Sequence, residues 1–384
     1  MIGVCVFIAL GVAGVALRQV DRLHFRIPGR HQGAGSVPEI LARQRERAND
    51  LTPALLLLGH WMEIAAWWGP AARLGPAEPA GLVLVAVMTA IKFRHLQEVS
   101  HFAAHGVLFR RLPIGDAITE FSVHAPLGFR PVAARRERHV RRHHPNAAVP
   151  DVDPNLDELL AAGLGPGTSE AGFVRAVLFP LTPRGIATTM RDMIANLGRD
   201  GWRGSWWWRA PIAVLMPFAA FALGGLPVLI AGYVVPRLLL YPQLSWMSLL
   251  VEHTWFEPAA SDAGRKETEA DRCVRVYRNR RALETFARCT WLPYGDLYHY
   301  AHSVHPAARW NYLPRLEALL GFPERTAPRV FFGRDSVLGK LRAATRPDFD
   351  KDEGQPQPAV SSIRYALRPL PAPAGSPRSA PRRP

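Results

Sequence analysis

Two pairs of apolar runs constrain this chain more than any other feature. Residues 53–69, PALLLLGHWMEIAAWWG, and 79–93, PAGLVLVAVMTAIKF, flank a short Pro/Gly-rich link. Residues 211–224, PIAVLMPFAAFALG, and 226–251, LPVLIAGYVVPRLLLYPQLSWMSLLV, meet around Gly224, Gly225 and Pro227. Runs of this kind approach the ~20 residues that span a bilayer, where a chain must satisfy its own backbone polar groups. The pattern predicts an all-α, integral-membrane helical protein. Two transmembrane helical hairpins, about 53–93 and 211–252, would be capped by a cytosolic helical domain. Residues 1–50 read as an N-terminal apolar segment and basic cytosolic lead-in, 51–325 as the membrane domain, and 326–384 as a basic, Pro-rich, disordered tail.

Charge sets the orientation. The chain carries a formal charge of +15 with 48% hydrophobic residues. Those residues are clumped, which suits a membrane protein with basic cytoplasmic parts and not a nucleic-acid binder. The stretch from Lys92 to Arg209 is rich in Lys and Arg, whereas the two hairpin turns hold almost none. Excess Lys/Arg marks the cytoplasmic side, so the middle and C-terminal regions are expected there. Residues 2–17 are apolar but short for a span and lack a basic lead. They read as an anchor, a partial insertion or an over-extended start. Cys5, Cys273 and Cys289 lie far apart, so neither a disulfide framework nor a thiolate metal site is implied.

Histidines fill the hydrophilic ends. Of fourteen, His24, His31, His60 and His124 look isolated, and the other ten lie near the cytoplasmic ends of the apolar segments. The first group is RHLQEVSHFAAHGVLF, which continues the second apolar run without Pro or Gly until Gly106. One helix of about 30 residues, Ala80 to Phe109 and roughly 45 Å long, is expected. His101 and His105 share a face at i,i+4, as two ligands of one metal or as a solvated pair. The second group is HVRRHHP. His139 and His143 are again four apart, with His144 on the adjoining face. This is a basic patch near anionic headgroups, or a ligand set, since neutral imidazole adds little charge at pH 7 but binds metals. The third, YHYAHSVHP, holds His299, His302 and His305 in steps of three. His253 stands alone in LLVEHTW.

The order HFAAH, HVRRHH, EH, YHYAHSVHP, with hairpins between, resembles the membrane fatty-acid desaturase and hydroxylase superfamily over residues 50–325. The resemblance implies an oxidoreductase with a non-haem centre of two Fe ions at the cytosolic face, using O2 and two electrons to desaturate or hydroxylate an unactivated C–H bond. The ligands it implies are His101, His105, His139, His143, His144, His253, His299, His302 and His305. Nitrogen donors suit iron, and no acid or base side chain can break such a bond unaided. Glu98, Glu252, Asp153 and Asp296 are candidates to orient imidazoles through their second N–H. One position departs from the family: its third box ends in adjacent histidines, whereas here Ser303 follows His302, so either His305 is the substitute or one iron keeps a water or an open position.

No HPGG haem motif, iron–sulfur cysteine set or GxGxxG fingerprint is present, so an external electron donor is expected, such as a ferredoxin or a cytochrome b5-like protein on the basic face. The default substrate is a fatty acyl chain or related lipid. A small secondary metabolite, such as an amino-acid derivative, is the alternative. Arg237 inside the fourth run either meets a substrate carboxylate or snorkels. Two remoter classes are a metal transporter, for which His60 and Glu63 would line a path, and a zinc hydrolase, which needs only three or four ligands.

Overall fold

The computed structural model describes residues 2–26, 35–74, 78–198, 206–257 and 264–346. The chain is mostly helical. Among the described residues, the exceptions in regular structure are two short parallel strands, Val274–Val276 and Arg325–Ala327. Among the described residues, two helical segments are long and apolar enough to cross a membrane, Pro79–Ala104 and the run Trp207–Glu252. The latter breaks at Gly224–Gly225, where Gly225 takes φ 66°. A Cβ on Gly224 would lie 2.7 Å from the Cβ of Ala72, so this break abuts the end of helix Leu51–Ala71. Trp68 Nε1 then donates to the Gly232 carbonyl at 3.1 Å, tying the two apolar helices together just below it.

Residues 2–17 belong to a helix, Ile2–His24, packed along Leu51–Ala71. Glycine makes the approach possible. A Cβ on Gly14 would sit 2.7 Å from the Gly59 carbonyl oxygen, and one on Gly59 would meet that of Gly14 at the same distance. Such small-residue contacts let helices pack tightly where lipid supplies no hydrophobic drive. The outer faces stay apolar: Val214 is 63% exposed and Phe218 64%. A contiguous apolar surface of this kind marks a membrane or partner contact in a stable protein.

Buried charges are paired. Glu63 meets both Arg18 and Lys92, and His60 Nε2 meets the Tyr294 hydroxyl. The two residues that would line a transporter path are thus each committed elsewhere. Arg237 neither snorkels nor stands ready for a carboxylate. It is buried, donates from Nε to the Leu127 carbonyl at 2.6 Å, and stacks over Phe129 at 4.9 Å.

A second core, with Trp246, Trp255, Trp291 and Leu341, sits beside the apolar helices. Helix Val337–Ala344 is part of it, and Arg325–Ala327 pairs with Val274–Val276, so folded structure continues beyond residue 325. The remainder of the expected tail, from 347 on, lies outside the described residues.

Candidate metal centre

Helix Pro79–Ala104 ends sooner than its sequence suggests. His105 is its C-cap, and Gly106 at φ 73° turns the chain away. His101 and His105 remain one turn apart, with Nε2 atoms 2.9 Å from each other.

The middle histidines depart from the expected pairing, and the backbone explains why. Residues Glu137–His143 form a π-helix, with His144 N bonded to His139 O at 3.1 Å. An i→i+5 turn is wider than an α-turn and recurs at functional sites. It brings His139 and His144 onto one face, where both join His101 and His105, and turns His143 elsewhere. His139 Nε2 lies 2.6 Å from His101 Nε2, and His144 Nε2 lies 3.3 Å from His105 Nε2. His302 completes the group, its ring 4.5 Å from that of His105. One donor atom from each of these five residues falls within 4.8 Å of all the others.

A second group forms beside the first from His143, His253, His299 and Glu252. His253 and His299 face each other through Nε2 at 3.0 Å, and the His143 ring lies 5.5 Å from that of His253. Adjacent residues His143 and His144 serve different groups, as do His299 and His302. The two groups are therefore neighbours held by shared segments of chain.

These nitrogens are arranged as ligands are. With metal–nitrogen bonds of about 2.1 Å, donors at right angles around one ion lie about 3 Å apart, which matches the observed Nε2 separations. Within the protein, both ring nitrogens of His302 and Nε2 of His143 are buried without a hydrogen-bond partner. Buried orphans of this kind require an explanation, and a bound cation supplies one. Burial, reinforced by neighbouring imidazoles, holds His105, His139, His144, His253, His299 and His302 well below the usual histidine range. They are neutral at pH 7, the form that binds a metal.

Carboxylates orient two of the rings. Glu98 Oε1 lies 3.1 Å from His101 Nδ1, and the buried Asp153 Oδ1 lies 2.9 Å from His143 Nδ1. Asp153 also accepts from the backbone of Ala148 and Asn155, which fixes it. Asp296 stands one step further back: it pairs with Arg94 and accepts from Ser248 at 3.1 Å, and Arg94 in turn reaches Glu98. Glu252 lies among the donors of the second group and not behind a ring.

His305 joins neither group. The short helix His299–Val304 ends before it, and His305 caps that helix at φ −129°, only half-buried. Ser303, by contrast, is buried, with Oγ 3.3 Å from His299 Nε2. Sequence reasoning also passed over Cys273. Its backbone forms a bridge with His253, and its Sγ lies 3.7 Å from His253 Nδ1. Burial pushes its thiol well above the usual range. No spacing pattern links residues 253 and 273, so this contact was invisible before folding.

Helices apolar enough to cross a membrane, beside two adjoining and mostly imidazole pockets, define a protein with a candidate metal centre. The fatty acid desaturase family profile matches residues 77–332, and the chain belongs to that family. Among curated proteins none matches the chain at a significant level.

Proposed function

We propose that this protein is an O2-dependent di-iron enzyme that oxidises an unactivated C–H bond, most simply by desaturating a fatty acyl chain or related lipid. The observation that carries this reading is the pair of adjoining histidine groups, with facing nitrogens near 3 Å. His101, His105, His139, His144 and His302 would hold one iron, and His143, His253 and His299 the other. Bound iron would supply, with O2 and two electrons, the oxidising power that side chains lack.

The protein's own part is positioning. Burial keeps the imidazoles neutral, and Glu98 and Asp153 hold Nδ1 of their rings so that Nε2 faces inward. Phe102, its ring 5.8 Å from that of His302, walls the first group, with Trp310 packed behind it at 5.0 Å. In the membrane, the chain would form two hairpins, with the histidine groups at the cytoplasmic face beneath a helical cap. A ferredoxin or cytochrome b5-like protein would bring electrons to the basic surface.

A cavity of about 1330 Å³ runs beside helices Ile2–His24 and Leu51–Ala71. Its apolar wall includes Phe7, Val15 and Met88, and its polar wall Arg18, Lys92 and Tyr294. The volume suits an acyl chain, and the lining holds no histidine of either group. The charged wall favours, as the second reading, a small metabolite such as an amino-acid derivative.

The test is product analysis. Purified protein with ferredoxin, its reductase, NADPH and O2 should yield acyl products two mass units lighter, detected by mass spectrometry. Products sixteen units heavier would indicate hydroxylation, and no O2-dependent product from acyl or amino-acid substrates would contradict the proposal.

A further inference from the structure

We infer that the two iron sites use different donors: imidazole alone in the first, and the Glu252 carboxylate alongside three imidazoles in the second. This rests on the di-iron reading above. Its origin is the one break in the family's histidine pattern. Ser303 occupies the place of an imidazole, buried and 3.3 Å from His299 Nε2, but a hydroxyl is a short, weak and neutral donor. His305 stays outside the group.

Glu252 is placed to make good the loss. Its carboxylate lies within 4.8 Å of donor nitrogens from His143, His253 and His299. Helix Tyr241–Glu252 ends on it, and the next residue turns to extended backbone at φ −135°, which lets Glu252 and His253 enter one pocket together. Among the described residues no side chain or backbone group hydrogen-bonds to this carboxylate. Glu98, Asp153 and Asp296 each have such a partner. The charged groups that act most strongly on Glu252 are Asp296, Glu98 and Asp153, with the cation Arg94, and Arg94 is engaged by Glu98, Gln97, Ser248 and Asp296. A half-buried carboxylate facing three neutral rings and neighbouring acids gains a partner when a cation joins it.

Cys273 does not compete for the role. Its thiol sits at Nδ1 of His253, whereas Nε2 of that ring faces His299. Thiol and metal would therefore occupy opposite sides of the imidazole. Glu269, the other acid near Cys273, is held by Arg272 at 2.9 Å. An anionic oxygen donor favours the more highly charged ion, so the second site should hold its iron more firmly when ferric.

Mössbauer spectroscopy of the full-length protein loaded with 57Fe, together with iron content, tests this. The wild type should give two quadrupole doublets of equal area. E252Q should shift or remove one doublet and lower iron from two toward one per chain, and S303H on that background should bring the second iron back. Two irons with an unchanged spectrum in E252Q would overturn the Glu252 assignment and leave the di-iron reading standing. A wild type without iron would overturn both. Should E252Q fail to fold, E252D decides: a shift confined to one doublet supports the assignment, and an unchanged spectrum contradicts it.

Discussion

The two histidine groups are built from interleaved segments yet are unlike each other. The first takes five imidazoles from helix Pro79–Ala104 and its cap, the π-helical turn and helix His299–Val304. The second has three imidazoles, a carboxylate and a nearby hydroxyl. Their supports differ too: Glu98 holds His101 in the first group, whereas Asp153 and Cys273 hold His143 and His253 in the second. A carboxylate is a strong acceptor and a thiol a poor one. The lesson is that a family's histidine order along the chain does not fix the donor set of each group, because one residue, Ser303, brings a hydroxyl to one group and leaves its neighbour all imidazole.

Perturbing each group separately shows how far this asymmetry reaches. The largest effect belongs to the ligands. His143→Ala in the second group and His101→Ala in the first should each abolish turnover while the protein still inserts in membranes, checked by product assay and membrane fractionation. Full activity in either variant would remove that residue from the site. Next come the supporting acids: Asp153→Asn and Glu98→Gln should each lower metal affinity by about 10–100-fold, measured by competition with a chelator. Asp153, fully buried and bonded to two backbone amides, should show the greater loss.

Away from both groups, Gly59→Val should leave iron content intact. Forcing a side chain against the Gly14 carbonyl should nonetheless destabilise the fold by roughly 1–3 kcal/mol, seen as a lower Tm in detergent. With a ferredoxin donor, turnover should fall as salt rises, since exposed charges are screened beyond about 10 Å at 0.1 M; salt-insensitive turnover would argue against a basic docking face. The smallest effect is expected at His305→Ala, which should keep full iron, because that ring lies in neither group.

Much of this architecture is written in local patterns. Apolar runs mark helices Leu51–Ala71 and Pro79–Ala104, and the Gly-Gly pair marks the break at 224–225. Histidine spacing identifies most of the residues that gather, because i,i+4 neighbours such as His101 and His105 meet on an α-helix. What was not legible depends on backbone geometry and distant contacts. The π-helical turn reassigns His143 and His144 to different groups, yet π-turns carry no distinctive residue pattern. Residues 2–17 looked short for a span and their role stayed open, because the packing partner of their helix, Gly59, lies 45 residues beyond Gly14. Glu252 and Asp296 looked alike as acids near the boxes, and only the fold places one among the donors and the other behind Arg94.

The most direct measurement is the metal content of the detergent-purified protein by elemental analysis. Two irons per chain are predicted, one for each histidine group. A single zinc with no iron would contradict the di-iron account and turn attention to hydrolytic chemistry.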